Sequence, residues 1–190
     1  MKNIWQNLIA GYHHFENERL EVIDASHQLK ISAKKLIHKI LHQRIKQDLE
    51  ELKKIKEMMN QLLGLIKRNP WLYQVGAINE GLEEYAELVF LEVYLKDDQE
   101  ILKHLPAGIG HDALIGGMAD ASGELVRLVR AKMNIEEAKK AHQYISNLYE
   151  HFLDLEVSRN NKLRSKIGEV RRNLLQLEEI IFSLNLKKGI

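Results

Sequence analysis

Apolar residues recur at three- and four-residue spacing along almost the whole chain, and no stretch sustains a period-two alternation, so the pattern predicts an all-α protein. From Ile4, the apolar or small positions Leu8, Tyr12, Phe15, Val22, Ala25, Leu29, Ala33, Leu36 and Ile40 keep helical spacing with no breaker beyond Gly11. A helix of about forty residues would be roughly 60 Å long, far longer than a domain of this size is wide, so the arm is expected to meet a partner chain or to kink, and nothing in the sequence announces a kink. A second helix is predicted over residues 45–68, with Leu49, Leu52, Ile55, Met59, Leu62 and Ile66 turned inward and Lys53, Lys54, Lys56 and Glu57 on a solvated face. Asn69 and Pro70 supply an N-cap and a first-turn proline, and predict the start of a third helix that ends near Leu95. The irregular segment that follows holds the only other proline, Pro106, and at most one short helix around residues 100–104. A fourth helix is expected over residues 112–133. A fifth is opened by Asn134, with Glu137 three positions on, and runs to about Val157. The last spans residues 161–186, with Ile167, Val170, Leu174, Leu177, Ile181 and Leu184 inward. There is no tandem repeat, and the sum is one domain over residues 1–190, a bundle of about six or seven helices.

The third helix departs from simple amphipathicity. Glu80, Glu84 and Glu87 stack on one face, opposite Val75, Ile78, Leu82, Tyr85, Val89 and Val93. Beyond Glu87 the run Leu88-Val89-Phe90-Leu91-Glu92-Val93-Tyr94-Leu95 is apolar on nearly every side, the mark of a buried helix. The acidic row therefore leads into an interior, where neighbouring like charges repel unless a cation neutralises them. The fourth helix carries the complement, Gly116-Gly117-Met118-Ala119-Asp120-Ala121-Ser122-Gly123-Glu124-Leu125-Val126-Arg127. A glycine within a helix costs about 1 kcal/mol relative to alanine, so three in eight positions imply close approach of another backbone. If that backbone is the acidic helix, Glu84 and Glu87 face Asp120 and Glu124.

Composition narrows the chemistry. With 28 Lys and Arg against 27 Asp and Glu, long-range attraction of nucleic acid is weak and any basic patch must be local. The 190-residue chain has no cysteine, which excludes disulfides and thiolate metal sites and fits a reducing, cytoplasmic setting. No signal-peptide core or membrane-length apolar run is present.

Taken from the residues alone, two readings of the acids stand. One is a solvated face or an inter-helix salt-bridge network, with Arg127 and Arg130 satisfying Asp120 and Glu124. The other is an oxygen-rich site for a hard cation such as Mg²⁺ or Mn²⁺, able to bind phosphate and activate water. A di-iron bundle wants Glu-x-x-His on two helices, and no Glu here has a His three residues later. Glu100 and His104 are four apart in the irregular segment. His38 and His42, also four apart, read as surface or packing residues of the long arm, and no histidine is given a catalytic role.

The motifs Gly81-Leu82-Glu83-Glu84-Tyr85-Ala86-Glu87 and Gly117 to Arg127 together resemble the translin family, closest to its catalytic branch, translin-associated factor X, in a compact form like the prokaryotic and archaeal relatives. Weaker similarity extends through Ser32-Ala-Lys-Lys-Leu-Ile and from Lys162 to Gly189. The resemblance implies an all-helical fold assembling from one subunit type into a closed shell of about eight. It also implies binding of single-stranded RNA and DNA, and Mg²⁺-dependent endoribonuclease activity inside that shell. By position, Glu84, Glu87, Asp120 and Glu124 correspond to the family's active-site acids. Glu83 stands where animal members tend to have Gln, beside the site. Arg127, Lys162, Lys166 and Arg171 are expected phosphate contacts, and hydrolysis is expected to leave a 5′-phosphate and a 3′-hydroxyl. The alternative is a non-catalytic, translin-like shell that only binds single strands.

Overall fold

A computed structural model describes residues 2–43, 49–157 and 160–187. Its order is α1 (Lys2–Gln43), α2 (Leu49–Arg68), a 3-10 segment (Pro70–Gln74), α3 (Gly76–Lys96), a second 3-10 segment (Gln99–His104), α4 (His111–Lys132), α5 (Ile135–Leu153) and α6 (Asn161–Lys187). No strand occurs among the described residues, as the period of the apolar positions predicts. The predicted first residues of α2 fall outside the described residues, and the other five helices begin and end within a few positions of expectation except at two points.

The first exception is the Asn69-Pro70 boundary. Asn69 does cap, its side chain accepting from the Trp71 amide at 3.2 Å, but what it opens is the single 3-10 turn Pro70–Gln74. The acidic helix starts afresh at Gly76 after an extended Val75. A capped proline start specifies the first turn only, and continuation depends on what the next residues pack against. The second is α5, which ends at Leu153, leaving Leu155 exposed in a turn. At the other end of α5, Asn134 accepts from the Glu136 and Glu137 amides, while the Glu137 carboxylate accepts from the Tyr94 hydroxyl at 2.8 Å and the Lys132 ammonium at 3.0 Å.

Helix α3 is the axis of the bundle. Every residue from Gly81 to Tyr94 is buried, with α1 packed on one side and α4 on the other. The other three helices close the outside, α2 covering α1, and α5 and α6 packing on each other and on α4. Two glycines let the central three helices approach. A Cβ at Gly81 would collide with Ser26 of α1, whose hydroxyl donates to the Ala77 carbonyl at 2.8 Å. A Cβ at Gly117 would lie 2.6 Å from the Ala86 Cβ, the Glu83 carbonyl and the Glu87 amide. The expected backbone approach is therefore real at Gly117, and Gly116 faces the Glu83 side chain. Gly123 is different, since only the Asn173 amide, at 3.6 Å, would touch its Cβ.

The long first helix is present over 42 residues, but its beginning is not core. Residues 3–14 are exposed throughout, including Ile4, Leu8 and Tyr12 of the predicted stripe, and Trp5 is 62% exposed. The stripe becomes buried only from Val22 onward, because α1 runs beyond the ends of the helices that cover it. Leu49 is likewise exposed, whereas Leu52, Ile55, Met59, Leu62 and Ile66 are buried as expected. On α6 the buried line is Leu163, Val170, Leu177 and Leu184, with Ile167, Leu174 and Ile181 half-buried beside it. None of the helices is long and apolar enough to cross a membrane, among the described residues.

Candidate active site

Because Gly117 brings α4 against α3 between Glu83 and Glu87, the acids on the two helices share one space. Glu84, Glu87, Asp120 and Glu124 all line a single open cavity of about 900 Å³, whose far walls are α1 and α6. Lys34, Lys35, His38 and His42 come from α1, and Glu169, Arg172 and Asn173 from α6. Glu80, at the start of the acidic row, is outside the cavity and pairs with Lys30 at 2.7 Å, which depresses its carboxyl pKa. Its place in the pattern is thus a helix-to-helix ion pair at the rim.

The four acids are not equivalent. Three have a cationic partner in the chain: Glu84 with Lys34 at 3.2 Å, Glu124 with Arg127 at 2.5 Å, and Asp120 with Lys166. Glu87 has none among the described residues, although it is only 7% exposed. Burial, followed by the negative fields of Glu84, Asp120 and Glu124, pushes its carboxyl pKa up to about 8. Glu84 is also raised by burial, against the pull of Lys34, and Glu124 is raised by burial against Arg127 and the two nearby histidines. The second carboxylate oxygen of Glu124 is buried without a hydrogen-bond partner. A buried acid with no counter-charge and an orphaned buried oxygen across from it are two vacant acceptor positions on one cavity.

The four acids offer carboxylate oxygens, the ligand chemistry of Mg²⁺ or Mn²⁺, with the imidazoles of His38 and His42 on the wall beside Glu124. No three Asp, Glu or His side chains among the described residues are already gathered as a finished metal site. Arg127 holds one oxygen of Glu124 and Lys166 one oxygen of Asp120, so closing round an ion requires Glu124 to turn from Arg127.

The expected phosphate contacts divide. Arg127 lines the cavity and is mostly exposed beyond its bond to Glu124. Arg171 is exposed but away from the cavity, and its neighbour Arg172 lines the wall instead. Lys162 pairs with Glu83 at 2.8 Å, and Lys166 is 15% exposed, wedged between Glu83 and Asp120. The predicted pairing of Arg130 with the acids is not found; Arg130 donates to Gln176. Two groups escaped the sequence. Lys34 and Lys35 lie in the Ser-Ala-Lys-Lys segment with nothing in the spacing to link them to acids fifty residues on. His38 and His42 are exposed and pack on each other with their rings 4.4 Å apart, as surface or packing residues would, and they also line the wall beside Glu124, which their spacing does not announce.

A family model described as "Translin family" matches residues 17–188. The chain belongs to the translin family. No individual curated protein sequence matches it. Among solved structures, the translin-family chain resembles apo-NeC3PO with a TM-score of 0.80 and 26% identity, over 95% of this chain and 96% of that one. It also resembles AfC3PO, with a TM-score of 0.85 and 17% identity over 98% and 99% of the two chains. AfC3PO in complex with duplex RNA gives the same TM-score and identity over 96% and 97%. The family match takes in both acid motifs and α6, and leaves outside it only the exposed first turns of α1 and the last two residues.

Proposed function

We propose that this translin-family protein is a Mg²⁺- or Mn²⁺-dependent endoribonuclease of the translin-associated factor X type, cutting single-stranded or flexible RNA within a homo-oligomeric, roughly eight-subunit shell in the cytoplasm. The observation that carries the reading is Glu87, a carboxylate buried against three others on an open cavity, with no cation of its own. Glu84 and Glu87 of α3 and Asp120 and Glu124 of α4 hold the ion. When bound, a divalent ion there supplies a polarised phosphate oxygen and a water of lowered pKa for in-line displacement.

The chain's own groups do the rest. Burial among three other acids favours the protonated form of Glu87 in the ion-free protein, and a divalent ion held there would favour its carboxylate. Arg127, released from Glu124, turns its guanidinium to the incoming phosphate, and Lys34, Lys35 and Arg172 line the approach as sequence-independent backbone contacts. Lys162 and Arg171 are more distant contacts along the strand. The exposed apolar face of α1 between Ile4 and Tyr12 supports assembly, since a stripe of that kind is covered in stable proteins. The complex of the related AfC3PO with duplex RNA supports RNA as the polymer bound.

The test is cleavage of an end-labelled RNA with Mg²⁺ or Mn²⁺, comparing the wild type with Glu87→Gln and Asp120→Asn. Each substitution is expected to lower the rate on the order of a hundredfold or more, and equal rates in all three would remove the catalytic claim. The products should carry 5′-phosphate and 3′-hydroxyl ends, and His38→Ala/His42→Ala should leave those ends unchanged. Cyclic phosphate ends formed in EDTA would instead assign the cut to attack by the RNA 2′-hydroxyl on phosphorus with departure of the 5′-oxygen, the two cavity histidines serving as general base and general acid. The second reading, a shell that binds single strands without cutting, draws on the three acids that already have Lys or Arg partners. It predicts salt-sensitive binding that persists in EDTA and never yields product.

A further inference from the structure

Glu83 lies beside the acidic row, on the α3 face that meets α4 and α6. It is 7% exposed, and its two oxygens accept from two lysines of α6, Lys162 at 2.8 Å and Lys166. Lys166 in turn donates to Asp120 of α4, so one half-buried ammonium ties two carboxylates from two helices. Room for this clasp is built into the backbone: a Cβ at Gly116 would stand 2.7 Å from the Glu83 carboxylate carbon and one of its oxygens. The first glycine of the motif therefore makes space for a side chain, where the second makes space for a helix.

Three features set Lys166 apart from an ordinary surface ion pair. Its ammonium is fixed from two sides, it is 15% exposed, and it takes one specific oxygen of Asp120. The other lysine of the pair, Lys162, is mostly exposed and among the described residues is paired with Glu83 alone. A group so placed cannot reach out to a phosphate without breaking both bonds, which removes it from the nucleic-acid contacts expected on α6.

We infer that Lys166 is a positioning residue for Asp120, clamped by Glu83 across the α3–α4–α6 junction, and that this clamp fixes the Asp120 carboxylate on the cavity wall for cation binding. The inference rests on the proposed ion site for its consequence in function, and on the Glu83–Lys166–Asp120 contacts for its geometry. Asp120 is a third exposed and has no other partner among the described residues, so without Lys166 its side chain is free to rotate among solvent-facing rotamers. An ordered first layer of ligands depends on such outer partners.

The sign of the effect makes the inference testable. A lysine near a cation site repels the incoming ion, so on charge alone Lys166→Met should bind Mn²⁺ more tightly. Positioning predicts the opposite: Mn²⁺ affinity, measured without RNA by calorimetry or electron spin resonance, falls about tenfold or more. Lys166→Arg recovers most of it, and Glu83→Gln, which keeps the shape but halves the clamp, lies between. For cleavage, kcat falls while KM for RNA and its salt dependence stay within about twofold of the wild type, as suits a residue that touches no phosphate. A folded Lys166→Met protein with unchanged or tighter Mn²⁺ binding would overturn the inference. So would a loss confined to KM with a shallower salt slope.

A cycle on the ion-free protein separates this from the nuclease reading. Asp120→Asn should lower the melting temperature clearly less in the Lys166→Met background than in the wild type, because the partner is already gone. Additive losses would overturn the clamp whatever the enzyme does. A wild type that binds no Mn²⁺ but shows the non-additivity would refute the ion site and leave the clamp standing.

Discussion

Replacing Glu87 with Gln removes the ionisable group that the cavity least tolerates while keeping its size and hydrogen-bonding shape. The folded protein holds this carboxyl pKa near 8 against 4.5 for the free group, so between those values the native state binds a proton that the unfolded chain has released. Stability contributed at this position is complete below about pH 4.5 and is lost as pH rises through 8, the reverse of a salt-bridged acid. At about 1.4 kcal/mol per pH unit, ionising Glu87 costs the ion-free protein up to about 5 kcal/mol above pH 8 and about 3 kcal/mol at pH 7. Water entering the open cavity reduces both figures. Urea melts in EDTA at pH 5.5, 7 and 8.5 should therefore show Glu87→Gln more stable than the wild type by a margin that widens with pH. Adding Mn²⁺ should reverse the order at pH 8.5, since an ion that binds the native acids stabilises the wild type alone. Two parallel stability curves, or a glutamine variant that is weaker at every pH, would refute the reasoning, because the cavity would then hold the charge at no cost.

Other consequences are independent of the acids. Gly117→Ala puts a methyl 2.6 Å from the backbone of α3 and should cost about 1–3 kcal/mol in chemical denaturation, whereas Gly123→Ala, facing only the Asn173 amide at 3.6 Å, should be neutral or stabilise by up to about 1 kcal/mol. Asn134→Ala removes an N-cap with two amide donors and should cost about 1 kcal/mol in the same assay. Leu62→Ala opens the wholly buried seam of α2 and should cost about 2–5 kcal/mol. Trp5→Glu, on the exposed face of α1, should leave helix content unchanged by circular dichroism and lower the particle mass measured by light scattering; an unchanged mass would show that this face is not used in assembly.

The all-helical class and most helix boundaries, though not the start of α3 or the end of α5, were legible from the chain because a 3.6-residue period survives any arrangement of the helices. The inner positions of α2 from Leu52 to Ile66 were legible for the same reason, as was the close approach of another backbone to the paired glycines of α4, but not which helix supplies it. The 3-10 turn after Asn69 was not, because capping residues mark where a turn begins and carry nothing about how far it continues. Nor was the exposure of Leu8 and Tyr12, whose spacing is that of buried residues and whose burial depends on helices that stop short of them.

Within the site, the sequence by itself determined which carboxylates stand four and three residues apart on one face, and so which could act together. Only the tertiary structure decided their inequality. Lys34, Arg127 and Lys166 reach three of the acids from α1, α4 and α6, leaving Glu87 without a cationic partner among the described residues. The same packing placed Glu83 under two lysines and drew His38 and His42 to the cavity. Periodicity tells which way a side chain faces on its own helix, but the sign and distance of what it faces depend on the rotation and offset of its neighbours. Those are set by the whole core at once.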